Sequence, residues 1–355
     1  MDINDNNIGN LVNTYIRLGQ LPHDDNGNPI PISEWNVSAV TDMSYLFRNY
    51  AEFNENISNW DVSAVTNMEG MFFNAKAFNQ PLGNWDVSAV TNMEGMFFDA
   101  GAFNQPLGNW DVSAVTNMSR MFSYANAFNQ PLVNWDVSAV TNMSMMFEGA
   151  TVFNGSIGDW NVSAVNLMYC MFFDAGAFNQ PIGDWNVSAV TNMYSMFCNT
   201  RAFNQPIGNW NVSAVTDMSY MFWSAHAFNQ PLGNWNVSAV TNMSMMFCEA
   251  RVFNQPIGNW DVSAVTKMSM MFEGAPVFNQ SLDRWHKPNS VFYMFKGATA
   301  YLQGRKDRLA LTKVNSTINN SIRKAMNTQR WNPATEVLAN ENLAGEIGSF
   351  LGCVF

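Results

Sequence analysis

A tryptophan returns every 25 residues. Trp35, Trp60, Trp85, Trp110, Trp135, Trp160, Trp185, Trp210, Trp235, Trp260 and Trp285 keep that spacing without an insertion. A period of this length marks a solenoid. One such unit cannot bury its apolar residues alone, whereas stacked copies can. After Trp285 the series slips, and Met294 and Phe295 arrive two residues early.

The copy at residues 78–102, FNQPLGNWDVSAVTNMEGMFFDAGA, divides into three segments. Over 81–90, Trp85 and Val87 alternate with Asn84, Asp86 and Ser88, the pattern of a short half-buried strand. Over 90–100, Met93, Met96, Phe97 and Ala100 fall at i, i+3, i+4 and i+7, one face of a helix that Thr91 or Asn92 would cap. Residues 103–106 form the return, with Pro106 restricting its path.

The expected fold is therefore an α/β solenoid. It is a right-handed, leucine-rich-repeat-like coil of about eleven 25-residue units, each a short parallel strand plus a short helix, with helical caps. Leu82-x-x-Trp85-x-Val87 matches the L-x-x-L-x-L strand of such repeats, but Val90 stands where they carry Asn. A flatter parallel β-helix is the alternative. The indoles of Trp60, Trp85, Trp110, Trp135, Trp160, Trp185, Trp210, Trp235 and Trp260 should stack in the core at the strand spacing of ~4.8 Å. Met fills the gaps. The row Asn79, Asn104, Asn129 and Asn179, with its copies, should form a buried amide ladder.

A stack needs caps at both ends. Residues 1–32 would supply an N-terminal cap, with a helix around Ile8, Leu11, Val12, Tyr15 and Ile16 ended by Gly19 and Pro22. Asp24-Asp25-Asn26-Gly27-Asn28 reads as a polar turn. It lacks the calcium-loop spacing and the distal Glu. The solenoid runs over 33–285, and 286–355 would be a basic, two-helix C-terminal cap. Charge divides the same way. Residues 1–284 hold 8 Lys+Arg against 24 Asp+Glu, and residues 285–355 hold 9 against 4. The acidic body repels nucleic acid, so only the tail could attract it, and weakly.

Chemistry has little material. There are 3 His and 4 Cys, and His23, His226 and His286 fit no metal or triad spacing. No phosphate-loop or dinucleotide motif occurs. Cys170, Cys198, Cys248 and Cys353 match no zinc pattern and read as reduced thiols. The chain is thus expected not to be an enzyme and to need no cofactor or metal. The opening MDINDNNIGN is not a signal peptide, and no run reaches the length of a membrane span. These features suggest an intracellular or virion location, with a cell-surface location only if an export signal has been removed.

Two surfaces could bind something. After each Trp from Trp35 to Trp260 the expected strand face shows Asp or Asn and then, two residues on, Ser, whereas His286 follows Trp285. Asp61, Asp86, Asp111, Asp136 and Asp261 make a possible cation or ligand ladder on it, against the plainer reading of a solvated polar face. The expected helix side varies instead, as in Glu69-Gly70, Ser119-Arg120, Tyr169-Cys170, Tyr194-Ser195 and Ser269-Met270. Phe73, Phe98, Phe173 and Trp223 follow the Met-Phe pair there and read as core rather than as a binding patch.

The recurring run FNQPIGNWNVSAVTNMS-x-MF, over about residues 33–283, resembles the BspA-like leucine-rich-repeat surface proteins. They are also described as a domain of unknown function in bacterial surface lipoproteins, and such repeats occur in protists, algae and large DNA viruses. The resemblance implies adhesion and protein–protein contact, with no catalytic residues. The expected function is a structural or protein-interaction scaffold. Its rigid periodic surface would bind protein partners or a periodic ligand through many weak equivalent contacts. A surface adhesin, or a carbohydrate- or cation-binding module using the Asp/Asn/Ser face, is the alternative.

Overall fold

The computed structural model describes residues 3–285 and 291–305. The chain enters through α1, Ile8–Leu18, whose Ile8 and Val12 are buried. Gly19 ends it in the left-handed conformation (φ 64°), its N–H donating to the Tyr15 carbonyl. Tyr15 meets Trp35 edge-on at 6.2 Å, so α1 lies against the first coil. The polar turn forms as expected. The Asp24 carboxylate accepts the N–H groups of Asn26 and Asn28.

From Trp35 onward the chain winds in stacked coils, one per 25 residues. Their conformation differs from both elements expected within the unit. Residues 90–100 are not helical, and the other copies repeat this. They form a run of β-turns, in which the N–H groups of Met96, Phe98 and Ala100 return to the carbonyls of Met93, Gly95 and Phe97. The intervening N–H groups point along the stack. Met93, Gly95, Phe97 and Asp99 donate to Asn117, Ser119, Met121 and Ser123 of the next coil at 2.8–3.0 Å. A backbone must satisfy its polar groups, and here neighbouring coils do what a helix would do internally. Successive four-residue turns also bring 93, 96, 97 and 100 to one side, so the apolar spacing mimicked a helix.

The parallel pairing likewise lies elsewhere than expected. It runs through Asp42, Asn67, Asn92, Asn117, Asn142, Leu167, Asn192, Asp217, Asn242 and Lys267, each bridged to the next. Trp85 and Val87 do alternate with exposed neighbours. However, they are flanked by turns that close Trp85 on Leu82 and Val90 on Val87.

Two residues per coil take positive φ, such as Gly95 (57°) and Asp99 (52°). This is the third-position geometry of a type II turn. Glycine occupies the first site at 70 and 95 and the second at 149, 274 and 297, but Tyr45, Arg120 and Met145 occupy the first, and Asn74, Asp99 and Tyr124 the second. A non-glycine residue there costs about 1–2 kcal/mol, and from Tyr45 to Met270 each is held by its N–H bond to the next coil.

The core is a set of aromatic columns. Trp110 and Trp135 are parallel within 2°, with centroids 6.5 Å apart. That distance exceeds the strand spacing of ~4.8 Å; the Phe columns are narrower, with Phe97 and Phe122 5.6 Å apart. Phe97 stacks on Phe103 of its own coil at 4.0 Å and on Phe122 of the next at 5.6 Å. Each indole satisfies its own polar atom, as when Trp110 Nε1 donates to the Leu82 carbonyl of the preceding coil at 2.9 Å.

The Asn row forms a ladder, but not the buried amide-to-amide ladder expected. Asn79, Asn104 and Asn179 are half-buried and Asn129 is exposed. Asn104 Oδ1 accepts the backbone N–H of Asn129 and Nε2 of Gln130, each at 3.0 Å. The early arrival of Met294 and Phe295 leaves the stack in register. Phe295 lies on Phe272 at 5.7 Å, and the Met270 N–H finds the Phe292 carbonyl. Residues 299–305 are helical, with Tyr301 stacked on Phe295. The rest of the expected C-terminal cap, its second helix and Cys353 lie outside the described residues.

Candidate interaction surface

The first candidate surface is the Asp/Asn-x-Ser edge. Asp86 Oδ1 accepts both the N–H and the hydroxyl of Ser88, at 3.1 and 2.6 Å, and Asp61 and Asp111 hold Ser63 and Ser113 alike. Asp136 and Asp261 accept the N–H of Ser138 and Ser263 at 3.0 Å. The Ser hydroxyl, and after it the Ser N–H, lowers the pKa of Asp61, Asp86, Asp111 and Asp136. Repulsion between neighbouring carboxylates is a lesser influence, felt at Asp86 and Asp136. Where Asn replaces Asp, Asn211 makes the same two bonds to Ser213. Each acid of this row is thus committed to closing its own turn. Among the described residues, no three of His, Cys, Asp and Glu gather where they could hold a metal ion.

A groove of about 430 Å³ follows the adjoining Pro-x-Gly edge past Pro81, Pro106 and Pro131. Gly is required there by closeness. A Cβ at Gly183 would come within 2.4 Å of the Pro206 carbonyl oxygen of the next coil. Val133 breaks the pattern, and the facing position of the next coil is Ser156 rather than Pro, its carbonyl accepting the Leu132 N–H.

The third surface is the strip formed by the positive-φ turns, and sequence variation collects here. Tyr45, Tyr124, Tyr194 and Trp223 are all exposed on it. Phe73, Phe98 and Phe173 are half-buried, so these residues are not the core positions the sequence suggested. Phe73 stacks on Phe98 at 4.4 Å, and Tyr220 bridges Tyr194 and Trp223 edge-on at 5.6 and 6.0 Å. The Tyr45 ring packs against Gly70 and the Tyr124 ring against Gly149, each where a Cβ would come within 2.4 Å of a ring carbon. The in-phase glycines and positive-φ tyrosines were a legible signal for these turns.

Charge on the strip changes along the stack. In the earlier coils acids have partners within it. Glu69 accepts the Tyr45 hydroxyl, Glu94 accepts Asn117 Nδ2 at 2.9 Å, and Glu148 accepts the Ser123 hydroxyl at 3.1 Å. Burial and Glu148 raise the Tyr124 pKa. Further on, Arg201, His226 and Arg251 occupy the same place in three successive coils, a row that sequence reading passed over. Cys170, Cys198 and Cys248 are buried free thiols, and burial pushes each up to about 12. None is a ready nucleophile.

A protein-family profile described as "Mycoplasma protein of unknown function, DUF285" matches residues 22–135, 118–222 and 199–308. The chain belongs to this family. In the DUF285 chain the overlapping matches take in the coils from Trp35 to Trp285. No curated protein matches it. Among solved structures, a leucine-rich repeat protein from Eubacterium ventriosum is similar at 12% identity, over 67% of this chain and 82% of that one, with a TM-score of 0.29. A leucine-rich-repeat protein of Leptospira interrogans follows at 6% identity, 70% and 64% coverage and a TM-score of 0.23. A chain of the Drosophila Toll–Spatzle complex matches at 11% identity, 78% and 40% coverage and 0.26. This chain therefore spans less than two thirds of the Leptospira and Drosophila chains. With TM-scores this low, none of these overlaps bears on activity or partner. No described helix is long and apolar enough to cross a membrane.

Proposed function

We propose that the chain is a non-enzymatic scaffold of the BspA-like kind that binds protein partners along the strip of positive-φ turns. One observation carries this reading. Residues facing the core and the Asp/Ser edge recur from coil to coil, whereas the exposed aromatic residues differ from coil to coil and lie together on the strip. Tyr and Trp supply large contact area at low entropic cost, which suits recognition. A stack held by inter-coil bonds presents them rigidly, so several weak contacts can act together. The buried free thiols suit a reducing compartment, and the site of action in this reading is intracellular or within a virion.

The test is site-specific photocrosslinking in the full chain. A crosslinker at Tyr124, Tyr194 or Trp223 should trap one common partner, and one at Ser88 or Ser113 should not. Crosslinks that form only from the Ser positions would reject the strip. Recovery of the chain only from exported fractions would reject the location.

A further inference from the structure

The acidic body carries one conspicuous local exception. Arg201, His226 and Arg251 stand 25 residues apart, in three neighbouring coils that stack at about 4.8 Å. Both arginines are exposed and His226 is half-buried. Arg201 Nε donates to Asn199 Oδ1 at 3.0 Å, and Asn199 in turn donates to Asp174. Beside the row, Trp223 precedes His226 by three residues in the same coil and is 37% exposed. Val252, next to Arg251, is exposed as well.

We infer that Arg201, His226 and Arg251, with Trp223 and Val252 beside them, form a docking site for a short acidic–apolar segment of a protein partner. This rests on the scaffold reading and names the chemistry that one part of the strip selects. The length of the row sets the length of the ligand. Arg201 and Arg251 stand two coil spacings apart, about 10 Å, and the first and third residues of an extended peptide are two steps, about 7 Å, apart and share one face. Two carboxylates flanking an apolar residue would reach the two guanidinium groups, because the long Glu and Arg side chains close the difference, and Arg favours such carboxylate pairing.

The surroundings exclude a long polyanion. Residues 1–284 hold 24 acids against 8 bases, so nucleic acid or a sulfated chain running past the row would meet a repelling surface. Asp174 and Glu249 border the row and Glu273 lies beyond it, paired with Lys296 at 2.9 Å. His226 supplies a built-in reporter. Burial first, then the charges of Arg251 and Arg201, lower its pKa, and Glu249 opposes them. A bound carboxylate offsets the two arginines and moves the titration upward.

The experiment uses the full chain and a labelled peptide with a central Glu-Leu-Glu flanked by Gly and Ser. A Lys-Leu-Lys version and a single-stranded oligonucleotide are run alongside. The Glu peptide should bind and raise the His226 midpoint in a proton NMR titration. Arg201→Glu with Arg251→Glu should weaken it roughly tenfold or more. An Arg201→Gln, Arg251→Gln variant with an unchanged melting temperature should also bind less.

Three results would overturn the site. One is a Glu peptide that leaves His226 unmoved, and another is a charge-reversed variant that binds it as the wild type does. The third is an oligonucleotide that binds more tightly than the peptide and loses that binding in the variant. Crosslinks from Tyr124 and Tyr194 separate the two claims. If they persist in the charge-reversed variant while peptide binding was never seen, this site is wrong and the scaffold reading stands. If they never form in the wild type, the scaffold reading itself falls.

Discussion

The Asp/Ser edge and the positive-φ strip are built from the same backbone repeat and treat sequence in opposite ways. Along the edge, Asp86 and its copies close a turn with the serine two residues on, and the geometry recurs with Asp or Asn. Along the strip, the two positive-φ sites per coil hold Gly, Asn, Tyr, Arg, Met, Cys, Ser, Asp or Glu. The difference lies in what carries the fold locally. On the edge a side chain makes the turn-closing bond. On the strip the backbone N–H makes the inter-coil bond, and the side chain is left to vary.

The deepest cut should collapse both surfaces together. Phe122 touches Phe97, Phe128, Trp135 and Phe147, so Phe122→Ala is expected to cost about 3–5 kcal/mol, read by urea unfolding. Next comes Asn104→Ala, which strips the acceptor from the Asn129 N–H and the Gln130 amide. The expected loss is about 1–3 kcal/mol, toward the lower end because the site is half-open to water.

A glycine pair sharpens the picture of the strip. Gly149 has φ 65° and lies under the Tyr124 ring, whereas Gly101 has nothing within 4 Å of its would-be Cβ. Gly149→Ala should destabilise by about 1–2 kcal/mol, and Gly101→Ala should stay within about 0.5 kcal/mol of neutral. Equal losses would show that the turn geometry is not what glycine serves there.

The smallest effect belongs to the edge. Asp86→Asn should change stability by less than about 0.5 kcal/mol at neutral pH, because Asn211 already makes the same bonds. Its pH dependence is diagnostic. Asp61, Asp86, Asp111 and Asp136 have native pKa values below the ordinary one. Their contribution is therefore present above about pH 4 and is lost as pH falls through the native values. Replacing all four with Asn should flatten that acid-side decline in a chemical-denaturation series.

The period, the inward residues and the stacking were legible in the sequence because Trp, Val, Met and Phe recur in fixed phase. The local conformation was not. Met93, Met96, Phe97 and Ala100 face inward whether the chain is a helix or a string of turns, and hydrophobic spacing cannot separate the two. The deciding signal was Gly70 and Gly95 at one repeat position and Gly149 and Gly274 at another four residues on, positions that a helix would not favour for glycine. The Asp row was visible as a row, but its commitment to Ser88 and its equivalents depends on the turn that places them. The Arg201, His226 and Arg251 row was visible only by reading down the stack instead of along the chain.

Most of the stabilising bonds join residues 23 to 28 positions apart, as with Trp110 to Leu82 and Asn117 to Glu94. Backbone and indole partners recur from copy to copy, so removal of one whole unit such as 110–134 would let its neighbours close on each other with the same backbone and indole bonds. Such a molecule has a length that changes in discrete steps. Its reach can be reset by gene duplication or loss while the pattern of bonds stays as it was.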